Sequence, residues 1–111
     1  MHEMSIACSI VDIAEEQARA AGAGVINAVE VDIGSLAGVE TESLRFCWQA
    51  ARCGLAAAAE LVINEIPGRG FCPSCETEAP VEFPVALCPA CAGGLRILQG
   101  RELRVRALNV D

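Results

Sequence analysis

The sequence predicts an α+β fold: two helices on a three-stranded sheet, with a small four-cysteine domain inserted before the last strand. Three observations carry this prediction. Apolar residues recur at spacings of three and four from Met4 to Ala21, and again after Glu40. They alternate with polar ones between Val25 and Ile33 and near the end of the chain. Two Cys-Pro-x-Cys clips lie between the second apolar strand and the last one.

In the first segment Ala7, Ile10, Val11, Ala14, Ala18 and Ala21 form the apolar stripe, while Asp12, Glu15, Glu16 and Arg19 lie mostly off it. That period is helical, and Gly22 and Gly24 supply the stop signals. Val25, Val29, Val31 and Ile33 then alternate with Ala28, Glu30 and Asp32, which predicts a half-buried strand closed by Gly34. Glu40 or Thr41 opens a second helix running to about Arg52, with Leu44, Cys47, Trp48 and Ala51 on one face, and Gly54 interrupts it. Leu61 to Ile66 reads as the second strand, stopped by Pro67.

Pro67-Gly68-Arg69-Gly70 has the composition of a hinge or loop. The cysteine segment follows to about Gly94. Leu103, Val105, Leu108 and Val110 make the final strand, and their change of phase predicts a bulge near Ala107. This strand is expected to return to the first sheet, because alone it would leave an unpaired edge.

The bulk composition narrows the function classes. The chain has 111 residues and is 53% hydrophobic, enough for one compact domain or a small domain with a stabilised subdomain. No apolar run approaches the ~20 residues that span a bilayer. The N-terminus lacks the basic n-region of a signal peptide, so a cytoplasmic location is expected. Seven cysteines in that setting point to metal ligands and buried thiols rather than disulfides. The net charge is −7, and residues 1–66 carry all of it. An acidic chain whose only basic residues besides one histidine are arginines is a poor partner for nucleic acid, whose binding rests on neutralising phosphates.

Cys72-Pro-Ser-Cys75 and Cys88-Pro-Ala-Cys91 have identical spacing and stand twelve residues apart. Two residues between cysteines let both thiolates reach one ion from a tight turn, and the proline presets that turn. Four thiolates in tetrahedral array select zinc and leave no position open for a substrate water, so a closed, structural site is expected. Two disulfides are disfavoured by a reducing compartment, and a redox dithiol would use one clip rather than two. Cys8, Cys47 and Cys53 lie in or at the end of helical patterns and read as buried small hydrophobes.

The single histidine is His2, between Met1 and Glu3. A bulky second residue should spare Met1 from removal. The α-amine, the amide nitrogen of His2 and its imidazole can then chelate one ion in fused rings. Nitrogen donors in a tetragonal plane suit nickel(II) or copper(II). The helix that starts here leaves its first N–H groups without intrahelical partners. Its macrodipole opposes a cation by up to ~1 kcal/mol, which amide deprotonation and the Glu3 carboxylate would have to outweigh.

Together these segments resemble the HypA/HybF family of hydrogenase nickel-incorporation proteins. The resemblance rests on Met1-His2-Glu3-Met4-Ser5-Ile6, on Val31-Asp32-Ile33-Gly34-Ser35-Leu36 with Val39, Glu42-Ser43-Leu44 and Phe46, and on Ala59-Glu60-Leu61-Val62-Ile63 with Pro67. The two clips and Gly100-Arg101-Glu102-Leu103 complete it, so it spans essentially the whole chain. The opening and the clips are its specific parts.

The resemblance implies a nickel-binding α/β domain of residues 1–67 plus 101–111 and a zinc-ribbon-like zinc domain of residues 68–100. It implies that His2 binds nickel, assisted by the Met1 amine and the backbone of Glu3, and that Cys72, Cys75, Cys88 and Cys91 hold zinc. It further implies a non-enzymatic metallochaperone acting with the GTPase HypB to deliver nickel to the [NiFe]-hydrogenase large subunit. Some members also serve urease, which adds urease maturation proteins to the implied partners. Neither nucleic acid nor membrane is expected as a partner, and the chain is expected as a monomer or weak homodimer. With His2 as the sole histidine, no second imidazole can complete a coordination sphere or act as a proton sensor near the zinc.

The alternative is a zinc-ribbon module for nucleic acid or a transcription complex, with Arg96, Arg101, Arg104 and Arg106 supplying positive charge. Glu102 and the overall charge weigh against it. An enzyme has less support still. The chain has no histidine beyond position 2, no nucleophile–base constellation and no phosphate-cradling loop.

Overall fold

The computed structural model describes residues 2–82 and 85–111. Helix α1 (Glu3–Ala20) is followed by strand β1 (Ile26–Gly34), helix α2 (Thr41–Ala51), a 3-10 turn (Gly54–Ala56) and strand β2 (Glu60–Ile66). Strands β3 (Arg69–Cys72), β4 (Thr77–Pro80) and β5 (Arg96–Gln99) come next, and β6 (Leu103–Val110) closes the chain. The strands form two three-stranded sheets, in the orders β2-β1-β6 and β4-β3-β5.

The chain divides into two compact units. The first comprises residues 1–32, 39–64 and 104–111; the second comprises 33–38 and 65–103. The sequence expectation of residues 1–67 plus 101–111 instead places 33–38, 65–67 and 101–103 in the first unit.

In the first unit α1 buries the expected stripe of Ala7, Ile10, Val11, Ala14 and Ala18, although Ala21 is exposed. The helix ends as its glycine signal requires. Gly22 takes φ +74°, the Gly22 N–H donates to the carbonyl of Arg19, and the Ala23 N–H donates to that of Ala18. This pair of bonds is the Schellman arrangement, which satisfies carbonyls that the last turn leaves without partners. Helix α2 packs on α1 and buries Leu44 and Trp48. The Trp48 indole donates to the Ala59 carbonyl at 2.9 Å, and Arg52 donates to the same oxygen at 3.1 Å. These bonds fix the chain where it leaves the 3-10 turn for β2.

Val29 and Val31 are buried in β1 as the alternation predicts, and β6 joins its edge as expected. The two strands run in opposite directions: Gly34 donates to Glu102 at one end, and Asp111 donates to Val25 at the other. Asp32 departs from the alternation. Its position faces away from Val31, yet it is fully buried. Asn64, Arg104 and Arg106 enclose it, with a hydrogen bond from Asn64 at 3.1 Å and ion pairs at 3.0 and 3.7 Å. The Asn64 hydrogen bond, followed by the two arginines, outweighs burial and holds its carboxyl below the usual range.

The second unit differs from expectation in two respects. Arg69 and Gly70, read as part of a hinge, begin β3, and the cysteine segment builds its own sheet. The β3–β4 ladder pairs Cys72 with Thr77 and Gly70 with Ala79; β5 pairs with the other edge of β3 through an irregularity at Arg69/Gly70. Glycine is required at Gly70, because a Cβ there would lie 2.8 Å from the Leu95 side chain. The core consists of Cys72, Ala79, Val81, Cys88 and Leu95, with Leu36, Ala86 and Ile97 packed against it. Leu36 carries residues 33–38 onto this core, and the Leu36 N–H donates to the Gly100 carbonyl at 2.7 Å.

The three remaining cysteines correct the sequence reading. Cys8 and Cys53 are exposed and Cys47 is half-buried. Cys8 follows Ala7 on α1 and so turns off the apolar stripe, while Cys53 lies beyond the end of α2.

Candidate metal centre

The two clips lie at corresponding points of two loops. Cys72 ends β3 and Cys75 stands in the turn that leads to β4, whereas Cys88 and Cys91 form the same turn before β5. In both turns the residue after the second cysteine donates back to the carbonyl of the first. Glu76 donates to Cys72 and Ala92 to Cys88, each at 2.8 Å. Closing these turns puts Glu76 and Ala92 in the left-handed region, at φ 55° and 60°. Neither is glycine, so no sequence signal marked them.

The turns bring four sulfurs together within 4.8 Å of one another. Cys72 and Cys91 are 3.6 Å apart, and Cys88 and Cys75 are 4.0 Å apart. A tetrahedral ion with metal–sulfur bonds of ~2.3 Å requires sulfurs ~3.8 Å apart, so the donor set fits such an ion. Backbone N–H groups are already aimed at the sulfurs: Cys75 N–H at Cys72 and Gly93 N–H at Cys91, both at 3.4 Å.

As free thiols Cys75, Cys88 and Cys91 sort by their hydrogen bonds. Backbone N–H donors of Cys91 and Ala90 lower Cys88 to about 7. Cys75 is pushed up to about 12, chiefly by its hydrogen bond with Cys91 and then by those with Cys72 and Cys88. The Gly93 N–H lowers Cys91, as does its bond with Cys75, but the bonds with Cys72 and Cys88, together with burial, prevail and raise it. A bound dication removes this competition by favouring all four thiolates at once.

At the other candidate site Met1 lies outside the described residues. His2 is exposed and caps α1, its carbonyl accepting the Ile6 N–H at 3.1 Å. The Glu3 carboxylate accepts the backbone N–H of Glu40 at 3.2 Å, and Glu40 in turn caps α2 by accepting the Glu42 N–H. The structure therefore joins the starts of the two helices and places Glu40 beside Glu3. Sequence reasoning missed Glu40, which stands 37 positions away from Glu3 and reaches it only through the packing of α1 on α2.

The family described as hydrogenase/urease nickel incorporation, metallochaperone, hypA matches residues 1–110. The chain belongs to this HypA family. The hydrogenase maturation factor HypA of Chlorobium limicola is 50% identical over 113 aligned positions, covering 100% of this chain and 97% of the relative. That of Geobacter metallireducens is 46% identical and both chains are covered completely. The solution structure of the Ni metallochaperone HypA from Helicobacter pylori aligns with a TM-score of 0.71 at 25% identity, over 99% of this chain and 97% of that one. HypA proteins are nickel metallochaperones and maturation factors rather than enzymes. Among the described residues no helix is long and apolar enough to cross a membrane.

Proposed function

We propose that the chain takes up one nickel(II) ion at its N-terminus and delivers it to the [NiFe]-hydrogenase large subunit, in concert with the GTPase HypB. His2 is the principal ligand, with the Met1 amine and Glu3 completing the site. The observation that supports this reading is the meeting of the two helix starts. His2 stands exposed at the head of α1, while the Glu3 carboxylate is steadied by the Glu40 N–H rather than left to fray. An exposed site of few ligands suits a carrier that must release its cargo. The four cysteines hold one structural zinc ion, because thiolates that already span a tetrahedron favour that ion and close its coordination.

The nucleic-acid alternative loses support from the same structure. Arg104 and Arg106 pair with Asp32, and Arg96 stacks over Phe71 at 5.3 Å from its ring centre. These three side chains are engaged within the chain.

The test is a nickel titration of untagged protein beside His2→Ala, with zinc content measured in both. One nickel site should be present in the wild type and lost in the variant, with zinc unchanged. Equal nickel affinity in the two proteins refutes the assignment. A peptide fused ahead of Met1 should mimic His2→Ala by removing the free amine.

A further inference from the structure

The four sulfurs of the zinc site are unlike one another in two independent ways. Cys72 and Cys88 are 1% and 4% exposed and belong to the core of the second unit, whereas Cys91 is exposed and Cys75 stands partly open to solvent. The second difference lies in the backbone donors. Cys72 accepts the Cys75 N–H and Cys91 accepts the Gly93 N–H, each at 3.4 Å. Among the described residues no backbone N–H donates to the sulfur of Cys75. The chain explains the asymmetry. After Ala92 the second clip continues into Gly93, whose N–H turns back on Cys91. After Glu76 the first clip enters β4 at once, where Thr77 stands in register with Cys72.

A thiolate reacts as a nucleophile in proportion to its access and to the electron density left on sulfur. An N–H bond to a charged sulfur stabilises it and withdraws density. Cys91 has access but is hydrogen-bonded, and Cys72 and Cys88 are buried. We infer that Cys75 is the reactive thiolate of this cluster, the modification site at which hydrogen peroxide or an alkylating electrophile attacks first and opens the zinc site. The inference rests on the zinc reading above.

With peroxide the chemistry is a two-electron oxidation. The Cys75 thiolate attacks one peroxide oxygen, the O–O bond breaks, and hydroxide leaves a sulfenic acid on Cys75. The Cys91 thiolate, the other sulfur that reaches solvent, attacks that sulfur and expels a second hydroxide, forming a Cys75–Cys91 disulfide. Two thiolates are oxidised and one peroxide is reduced. The ion keeps only Cys72 and Cys88 and dissociates, so the core built around those two residues loses its clasp.

The experiment uses wild-type protein loaded with zinc, assayed for metal before the reaction. A limiting amount of iodoacetamide, followed by proteolysis and mass mapping of all seven cysteines, reads the order of attack within the cluster. Cys75 should be the first of the four to be alkylated. In parallel, peroxide should release zinc to a chromogenic chelator, with two thiols lost for each ion and a Cys75–Cys91 disulfide in the map. Earlier alkylation of Cys72, Cys88 or Cys91 overturns the inference, as does zinc retained after Cys75 is modified. Absence of zinc from the starting protein overturns the zinc reading itself, and the inference with it.

Discussion

The Nε of Arg104 lies 3.0 Å from Oδ2 of Asp32, and only the arginine reaches solvent: its side chain is 66% exposed and the aspartate 0%. A carboxylate hidden on a sheet face is tolerable only when paired. Asn64 and Arg106 complete the pairing, and Asn64 also donates to Glu30 at 2.9 Å. Four residues from three strands are thereby tied through one carboxyl group.

This arrangement gives the stability a pH dependence of known sign. An unfolded aspartate titrates near 3.9, and Asp32 in the fold titrates lower, first because of its Asn64 hydrogen bond. As pH falls the unfolded chain therefore takes up the proton first. The contribution of Asp32 is complete above about pH 3.9 and is lost as pH drops through the lowered folded value. Asp32→Asn should lower Tm at neutral pH, and its gap to wild type should narrow as pH falls below about 3.9. A thermal-melt series that leaves the gap constant would contradict this.

Gly34 and Gly100 form a contact that no side chain can enter. A Cβ on Gly34 would overlap the Gly100 carbonyl, and a Cβ on Gly100 would lie 2.7 Å from the Gly68 Cα. Gly100 also takes φ +117°. Gly34→Ala should cost at least about 2 kcal/mol by overpacking against backbone that cannot give way. Gly24→Ala, where a Cβ meets nothing within 4 Å, should be near neutral. Denaturant melts of the pair provide the comparison.

The left-handed residues of the two clips predict stabilising substitutions. An L-residue in that region costs about 1–2 kcal/mol, while glycine gives back about 0.5–1 through its freer unfolded state. Glu76→Gly and Ala92→Gly should therefore each stabilise the zinc-loaded protein by up to about 1 kcal/mol. Valine at either position should do the reverse, since β-branching aggravates the same clash. A denaturation midpoint lower in both glycine variants would refute the strain argument.

Metal removal should separate the two units. The core of the second contains two of the four clustered cysteines and nothing larger than leucine, so an ion bound there would supply much of its stability. The first buries Trp48, Leu44, Ile26 and two valines of β1 without any metal ligand. A strong chelator should abolish amide protection in β3, β4 and β5 and leave α1 and α2 protected. Loss of protection in all five elements together would show that the units do not unfold independently.

Much of the fold was legible because it is written in local periods. The α1 stripe, the β1 alternation and the glycine stop at Gly22 each need only a few consecutive residues to declare themselves. The four-cysteine cluster was legible for a related reason: ligand spacing within a clip is itself a statement of geometry. Residues whose roles come from distant partners were not legible. Asp32 has the phase of an outward residue, and nothing nearby reveals Asn64, Arg104 or Arg106 arriving to bury it. Cys8 has the composition of a core thiol and the wrong angle on its helix. The second sheet was hidden because its strands are only four residues each, too short to show alternation.

By itself, then, the sequence determined the order of the first unit's helices and strands, the four-sulfur donor set and the His2-Glu3 start, all properties of neighbours along the chain. Tertiary structure alone decided that Glu40 steadies Glu3, that Leu36 joins the second unit, and that Asp32 is enclosed by Asn64, Arg104 and Arg106. Each of these depends on the direction from which another element arrives. That direction is set by chain closure and packing over long separations, for which local spacing carries no signal.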